Sequence, residues 1–243
     1  MYLAEGVRSV RDAMLNHVPA RQVFFSPSLL TRTAEGLSLL ENLSTWADAT
    51  YEVDDHILRV ISDTETPAGI VAVLRRPEEL PLGDVLALRF GVILDGLADP
   101  GNAGTIVRTA AAAGAEYVVS TVGSVDLYAP KVTRAGMGSH SRLAIVQDCT
   151  WEQICAAASP GSMVACDMSA RETIYDISWP SPMALVLGSE AHGLSKEAQA
   201  VVEIRVRIPM RGDIESLNAS VAAAIVIYEV LGRSIDRDGV RYR

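Results

Sequence analysis

The chain is short of several features that mark large protein classes. Its three cysteines, Cys149, Cys155 and Cys166, are odd in number and show no CxxC spacing. That excludes a disulfide framework and a cysteine zinc knuckle, and points to reduced thiols in a cytoplasmic protein. No apolar run reaches the roughly 18 residues that a membrane span needs, so no membrane partner is expected. Met1–Met14 contains Glu5, Arg8, Arg11 and Asp12 and is not expected to be a signal peptide. His17, His56, His140 and His192 have no metal-ligand spacing, so no metal is expected. There is no Walker A sequence and no GxGxxG after a strand; GMGSHS at 136–141 is only superficially glycine-rich. Ordinary dinucleotide binding is thereby disfavoured.

Basic charge is also scarce. The 21 Lys and Arg against 30 Asp and Glu leave a net charge of −9, whereas a nucleic-acid binder usually carries a basic footprint. The distribution is uneven. Residues 1–85 hold seven Arg against thirteen acids, a balance of −6. Residues 127–147 hold Lys131, Arg134 and Arg142 with no acid, and the tail 233–243 holds four Arg against two Asp. Three phosphate contacts would give a salt slope of about −2 to −3, enough for a structured site but not for avid nonspecific binding.

What is present is apolar: 49% of the 243 residues are hydrophobic, enough for one large domain or two small ones. Residues 1–75 read as a small α/β unit: helix Glu5–Asn16, strand Arg21–Phe25, helix Ser28–Glu41, a short strand Tyr51–Val53, helix Asp54–Ile61 and strand Gly69–Leu74. Residues 76–88, with two prolines, a glycine and several charges, read as a linker. From 89 to 243 strands alternate with helices. The strands are Phe90–Leu94, Tyr117–Ser120, Leu143–Val146, Met163–Cys166, Ala184–Leu187 and Ile204–Ile208. The helices are Asn102–Ala113, Pro130–Gly136, Trp151–Ala158, Ser195–Ala200 and Ser216–Leu231. Such alternation predicts an α/β fold: a mostly parallel sheet with helices on both faces and ligands beyond the strand C-termini. In the last helix Leu217, Val221, Ile225, Tyr228 and Leu231 mark one face, with Asp213, Glu215 and Ser216 at its start as cap and dipole partners. Apolar residues also fill its other faces, so it is expected to be buried on more than one side.

Three ordered stretches carry a resemblance. LDGLADPGNAGTIVRTAAAAGA at 94–115, GSEAHGLS at 188–195 and IPMRGDIESLNASVAAAIVIYE from Ile208, with PKVTRAGMG between the first two, resemble the motifs of the SpoU-like (TrmH-type) branch of the SPOUT methyltransferases. The likeness covers nearly the whole chain. It implies transfer of a methyl group from S-adenosylmethionine to a ribose 2′-hydroxyl of RNA, a C-terminal trefoil knot against which the cofactor sits, and a homodimer that completes the site. EGVRSVRDAML and TPAGIVAV resemble the ends of a ribosomal-protein-like RNA-binding domain found in rRNA-modifying members. Ribosomal RNA is therefore preferred to transfer RNA as the substrate.

The resemblance assigns catalysis to Asn102, Arg108, Glu190, Ser216 and Asn218. A guanidinium is normally always protonated, so a bidentate hold on substrate phosphate is an easier role for Arg108 than that of base. Asn102 would orient Arg108 or the ribose, and Glu190 would pair with Arg108 or anchor a loop. Ser216 and Asn218, opening the last helix, would meet phosphate or cofactor, or serve as a plain cap and a helix-surface residue. The implied cofactor site is backbone at Gly188, Ile208 and Leu217, with Thr121, Gly123, Leu187, Ser189, Gly193, Met210 and Ser216 around it. Lys131, Arg134 and Arg142 are the candidate RNA contacts, and His192 reads as incidental to its motif. Two rivals stand beside the enzyme: a catalytically silent RNA- or ribosome-binding factor with the same fold, and a nucleotide-binding α/β enzyme of another family.

Overall fold

The computed structural model describes residues 1–62, 64, 66–212 and 216–238, with the backbone alone at 233–238. Asp213 and Glu215, expected as cap and dipole partners, and the side chains of the basic tail lie outside the described residues. The chain divides into two compact units: Met1–Glu78 with Tyr128–Arg142, and Glu79–Leu127 with Leu143–Arg243. The division differs from the contiguous one expected, because a later segment groups with the N-terminal residues.

The first unit begins with β1 (Tyr2–Glu5), α1 (Val7–Leu15), β2 (Ala20–Phe25) and α2 (Pro27–Leu30). It continues with α3 (Ala34–Trp46), β3 (Ala47–Glu52), α4 (Asp55–Ile61) and β4 (Ile70–Leu74). Its four-stranded sheet has the order β1-β4-β2-β3. β4 is antiparallel to both neighbours, and β2 and β3 are parallel. The single helix expected over Ser28–Glu41 is instead two. Thr33 caps a new helix by accepting from the Gly36 amide at 3.1 Å. There the new helix meets the end of α2 so closely that a Cβ on Gly36 would fall 1.9 Å from the Leu30 carbonyl oxygen. Tyr128–Arg142 joins this unit through side chains: the Tyr2 and Tyr128 rings lie 5.0 Å apart, and Asn16 donates to the Ser141 hydroxyl at 3.2 Å.

The second unit opens with α5 (Leu82–Leu86), inside the stretch expected to be linker; its Val85 and Leu86 are buried in the core, which the prolines around them conceal. Then follow β5 (Phe90–Asp95), α6 (Pro100–Ala112) and β6 (Tyr117–Thr121). After α7 (Pro130–Gly136), which belongs to the first unit, come β7 (Ala144–Cys149), α8 (Trp151–Ala157), β8 (Met163–Cys166) and the two-residue β9 (Glu172–Thr173). The chain ends with β10 (Met183–Gly188), α9 (Lys196–Val201), β11 (Ile204–Arg207) and α10 (Ala219–Asp238). The seven strands run in the order β7-β6-β5-β10-β8-β11-β9, and every pairing among them is parallel. The side chains of α5, α8 and α9 share one core cluster with one face of this sheet, while α6 packs on β5, and α10 packs on β10 and α6. Helices on both faces explain why β5 and β10 are unbroken apolar runs.

Two details correct the expected last helix. It begins at Ala219, and Asn218 is its cap: Oδ1 accepts from the Ser220 amide at 2.9 Å and its hydroxyl at 2.7 Å. Among its described residues the buried apolar ones are Ala223, Val226, Ile227 and Val230, while Val221, Ile225 and Tyr228 of the expected face are exposed. Periodicity cannot select a face when apolar residues occupy all of them.

Three central strands are locked by one side chain. Tyr117 on β6 lies across Gly91 on β5 and donates to the Met183 carbonyl on β10 at 3.2 Å. Burial holds the Tyr117 hydroxyl well above the usual phenol pKa. A Cβ on Gly91 would fall 2.3 Å from that ring. Gly91→Ala is expected to destabilise the protein by about 1–3 kcal/mol through overpacking. Denaturant unfolding checks it; an unchanged midpoint would show that the ring moves aside freely.

Candidate functional site

In the second unit the C-terminal ends of β8, β10 and β11 and the start of α10 enclose a cavity of about 460 Å³. β10 and its turn contribute Leu187, Gly188, Ser189, Glu190 and Gly193; the segment after β11 contributes Ile208 and Met210. Ser216, Leu217 and Asn218 close it from the start of α10. The structure thus brings together most of the residues named for cofactor and catalysis.

The turn after β10 is tight for a specific reason. Ser189 and Gly193 exchange backbone hydrogen bonds at 2.8 and 2.9 Å, and the Ser189 hydroxyl accepts from the His192 amide at 3.2 Å. Gly193 has φ +66°, where other residues are strained. Gly188 faces this turn so closely that a Cβ would lie 2.3 Å from the Gly193 carbonyl carbon. The cavity wall here is therefore backbone, with amide and carbonyl groups near an apolar surface of Leu187, Ile208 and Leu217. His192 is exposed, and its amide is the donor to the Ser189 hydroxyl.

Helix α6 aims a second group at the turn. Asp99 caps it by accepting from the Asn102 amide at 2.7 Å, and Pro100 occupies its first turn. The Asn102 side chain donates from Nδ2 to Glu190 Oε1 at 2.8 Å. Arg108 is exposed farther along the same helix. Asn102 is thus fixed toward Glu190.

Thr121 and Gly123 do not line the cavity. The Thr121 hydroxyl is buried and accepts from the Gly96 amide at 3.0 Å, so it is consumed inside the fold. Gly123 serves an exposed turn, with φ +88°. Lys131, Arg134 and Arg142 belong to the first unit. Lys131 is exposed, whereas Arg134 pairs with Glu5 at 4.0 Å and Arg142 with Asp12 at 3.3 Å. Two of the three expected phosphate contacts therefore already face carboxylates. Among the described residues no cluster of three His, Cys, Asp or Glu is arranged to hold a metal.

Sequence reasoning missed four lining residues, Cys166, Met168, Ala219 and Ala222. β8 lies between β10 and β11 in the sheet, an order that strand prediction alone does not give, and this puts Cys166 at the cavity. It also missed Asp95. This carboxylate is 3% exposed and accepts from the Trp151 indole at 2.9 Å and the Ser195 amide at 2.7 Å. Its place at a strand end was visible, but its partners are 56 and 100 residues away in sequence.

A model described as the SpoU rRNA Methylase family matches residues 89–228, and one described as the MRM3-like substrate binding domain matches residues 1–72. The mitochondrial rRNA methyltransferase 3 of Mus musculus is 30% identical, covering 93% of this chain. This chain spans 66% of that mouse protein, about two thirds of its length. The 23S rRNA (uridine(2479)-2′-O)-methyltransferase of Streptomyces viridochromogenes is 30% identical over 96% of this chain and 83% of its own. The crystal structure of the SpoU methyltransferase AviRb from Streptomyces viridochromogenes in complex with AdoMet has a TM-score of 0.82 and 28% identity, covering 96% of this chain and 90% of that one.

The cavity thiol yields a pH prediction. Burial pushes Cys166 up to about 11, with neighbouring Asp167 acting in the same direction. Below that pKa it stays a neutral thiol, with about one molecule in a thousand ionised at pH 8. In iodoacetamide labelling read by peptide mass spectrometry at pH 8, exposed Cys155 should react long before Cys166. The Cys166 rate should climb about tenfold per pH unit toward pH 11. Equal labelling of the two at pH 8 would contradict the raised pKa of the half-buried Cys166 thiol.

Proposed function

The chain belongs to the SpoU rRNA methylase family, and on that premise we propose that it transfers a methyl group from S-adenosylmethionine to a ribose 2′-hydroxyl of ribosomal RNA. The observation that carries the proposal is the cavity at the strand ends, with Asn102 holding Glu190 at its rim. The cavity suits the cofactor. Its volume of about 460 Å³ is ordinary for a small-molecule site, and the glycine backbone with apolar walls suits an adenosine. S-adenosylmethionine, when bound, supplies an electrophilic methyl on a sulfonium.

The residues of this chain do the rest. Gly188, Ser189 and Gly193 present backbone donors and acceptors from a turn that closes on itself. Leu187, Ile208 and Leu217 keep water from one side. Arg108 holds the phosphate next to the target ribose, the role a planar guanidinium performs best. Orientation of the hydroxyl is the main contribution, since alignment alone can supply about 7–11 kcal/mol. Asn218 acts as the cap of α10 and so fixes Ser216 and Leu217 at the cavity mouth. We assign substrate RNA binding to the first unit, supported by the family description that covers residues 1–72.

The same proposal includes the trefoil knot, a homodimer and a cytoplasmic site of action on ribosomal RNA. The exposed stripe Val221, Ile225 and Tyr228 on α10 supports the dimer, because three large apolar side chains on one face suit a second copy.

Calorimetry with S-adenosylmethionine is the first test. Wild type should bind saturably, and Leu217→Arg, which fills the cavity, should not bind. Arg108→Ala should retain binding while slowing transfer to ribosomal RNA by about 100- to 1000-fold, the cost of losing a single positioned charge partner in a site of this kind. A folded wild-type protein that binds no cofactor, alone or with RNA, would overturn the enzyme and favour a silent RNA-binding factor.

A further inference from the structure

We propose that Asp95 is a positioning residue for methyl transfer, its buried carboxylate holding in place the loop that carries Glu190. The proposal rests on the reading of Glu190 as part of the transfer site. Asp95 ends β5 and stands in register with Gly188, which ends β10. The loop therefore leaves the sheet beside Asp95. It also returns to Asp95, because the Ser195 amide, where the loop enters α9, donates to Asp95 Oδ2 at 2.7 Å. Both ends of the 189–194 loop are thus tied to one residue, through its backbone register at one end and its side chain at the other. Between them, Ser189 and Gly193 bridge the loop, and Glu190 projects to Asn102 on α6.

The carboxylate is itself held from behind. Its Oδ1 accepts from the Trp151 indole at 2.9 Å, and Trp151 is buried in the core on α8. The Thr121 hydroxyl stands 3.5 Å from the same oxygen. Period-two alternation puts Asp95 on the sheet face of Gly91 and Ile93, the face whose core includes Trp151. Two N–H donors thus converge on the two oxygens of one carboxyl group, one on each. An asparagine would turn an NH2 group toward one of the donors and leave both unsatisfied in a buried place. A buried carboxylate is costly unless hydrogen-bonded, and here each oxygen has its own donor. What the carboxylate adds is a fixed path for the loop and hence for the Glu190 side chain.

The test is a double-mutant cycle on the single-turnover methylation rate of ribosomal RNA, with S-adenosylmethionine saturating. Glu190→Gln alone should slow transfer. Asp95→Asn alone should slow it about tenfold, a coupling ordinary for neighbours in one hydrogen-bond network. The double variant should be no slower than Glu190→Gln, because a mispositioned and a missing carboxylate are the same loss. Effects that multiply would overturn the proposal and leave the methyltransferase reading intact. Full speed in Glu190→Gln would remove Glu190 from the site and this proposal with it; cofactor binding and the Arg108→Ala variant still judge the enzyme separately. If Asp95→Asn does not fold, the same cycle runs on Ser195→Pro against Ser195→Ala. Ser195 has φ −61°, which proline adopts, so the pair differs mainly in the N–H that Asp95 accepts. Ser195→Pro should then be the slower, and equal rates would overturn the proposal.

Discussion

Two backbones meet at Gly188 and Gly193 more closely than any side chain allows, and the second unit is arranged around that contact. A glycine ending a central strand lets the chain fold back over the sheet edge. The turn it makes satisfies its own amides, so the groups that face the cavity can be backbone without being stranded. The parallel sheet supplies the rest. Because β5, β8, β10 and β11 all run the same way, their C-terminal ends gather on one edge. Asp95, Cys166, Gly188 and the segment leading to Ile208 arrive together there without any residue contact that local sequence encodes. Without the Gly188 approach the strand ends would still align, but the loop carrying Glu190 would have no fixed course across them.

The acidic charge becomes intelligible at the level of pairs. Glu5 and Asp12 in the first unit stand against Arg134 and Arg142. Partly exposed ion pairs of this kind are worth about 0–1 kcal/mol, so a phosphate that brings several contacts displaces the carboxylate at small cost. A phosphate that brings one contact gains little. On the proposed function, the chain would therefore bind structured RNA through summed contacts and ignore isolated backbone, which agrees with a protein whose overall charge repels nucleic acid. Tyr128 sits at the same place, with its ring under the Arg76 guanidinium at 4.6 Å and beside Tyr2. The segment 128–142 is thus held by aromatic packing, and its cations do not have to hold it.

Much of the second unit could be read from residue order because its signals are local. A buried parallel strand is an apolar run, and Tyr117–Ser120, Met163–Cys166 and Ala184–Leu187 announce themselves as such. Asp99-Pro100 opens α6 with the residues a helix start requires. The failures have physical causes as well. β1 and β9 are too short to show a period, and their residues are strand only because an edge was open beside them. The break between α2 and α3 depends on one threonine cap inside a run of good helix formers. α5 hides among prolines because burial of Val85 and Leu86, not propensity, makes it. At the site, glycine and strand-end logic together with the family likeness reached the cavity lining. Thr121 pins the next turn instead of lining the cavity, and a hydroxyl at a strand end reads the same in either place.

Helix α10 joins these levels. Between Ala219 and Tyr228 it carries no charge and is apolar on every side, so that stretch suits partners on two sides. The fold supplies one, burying Ala223, Val226, Ile227 and Val230 against β10 and α6. Val221, Ile225 and Tyr228 remain in water on the opposite stripe. These side chains are already about half buried, and full burial of one large apolar side chain is worth about 1.5–3 kcal/mol, so covering the stripe would release about 2–4 kcal/mol before the cost of association. Ser216, Leu217 and Asn218 lead straight into the helix and form one wall of the cavity. A second copy docked on the stripe would therefore stiffen the wall against which the cofactor is proposed to bind. Association and cofactor affinity would then be linked, each favouring the other by the same free energy. On the proposed dimer, the stripe would thus act on the cavity although Val221, Ile225 and Tyr228 do not line it.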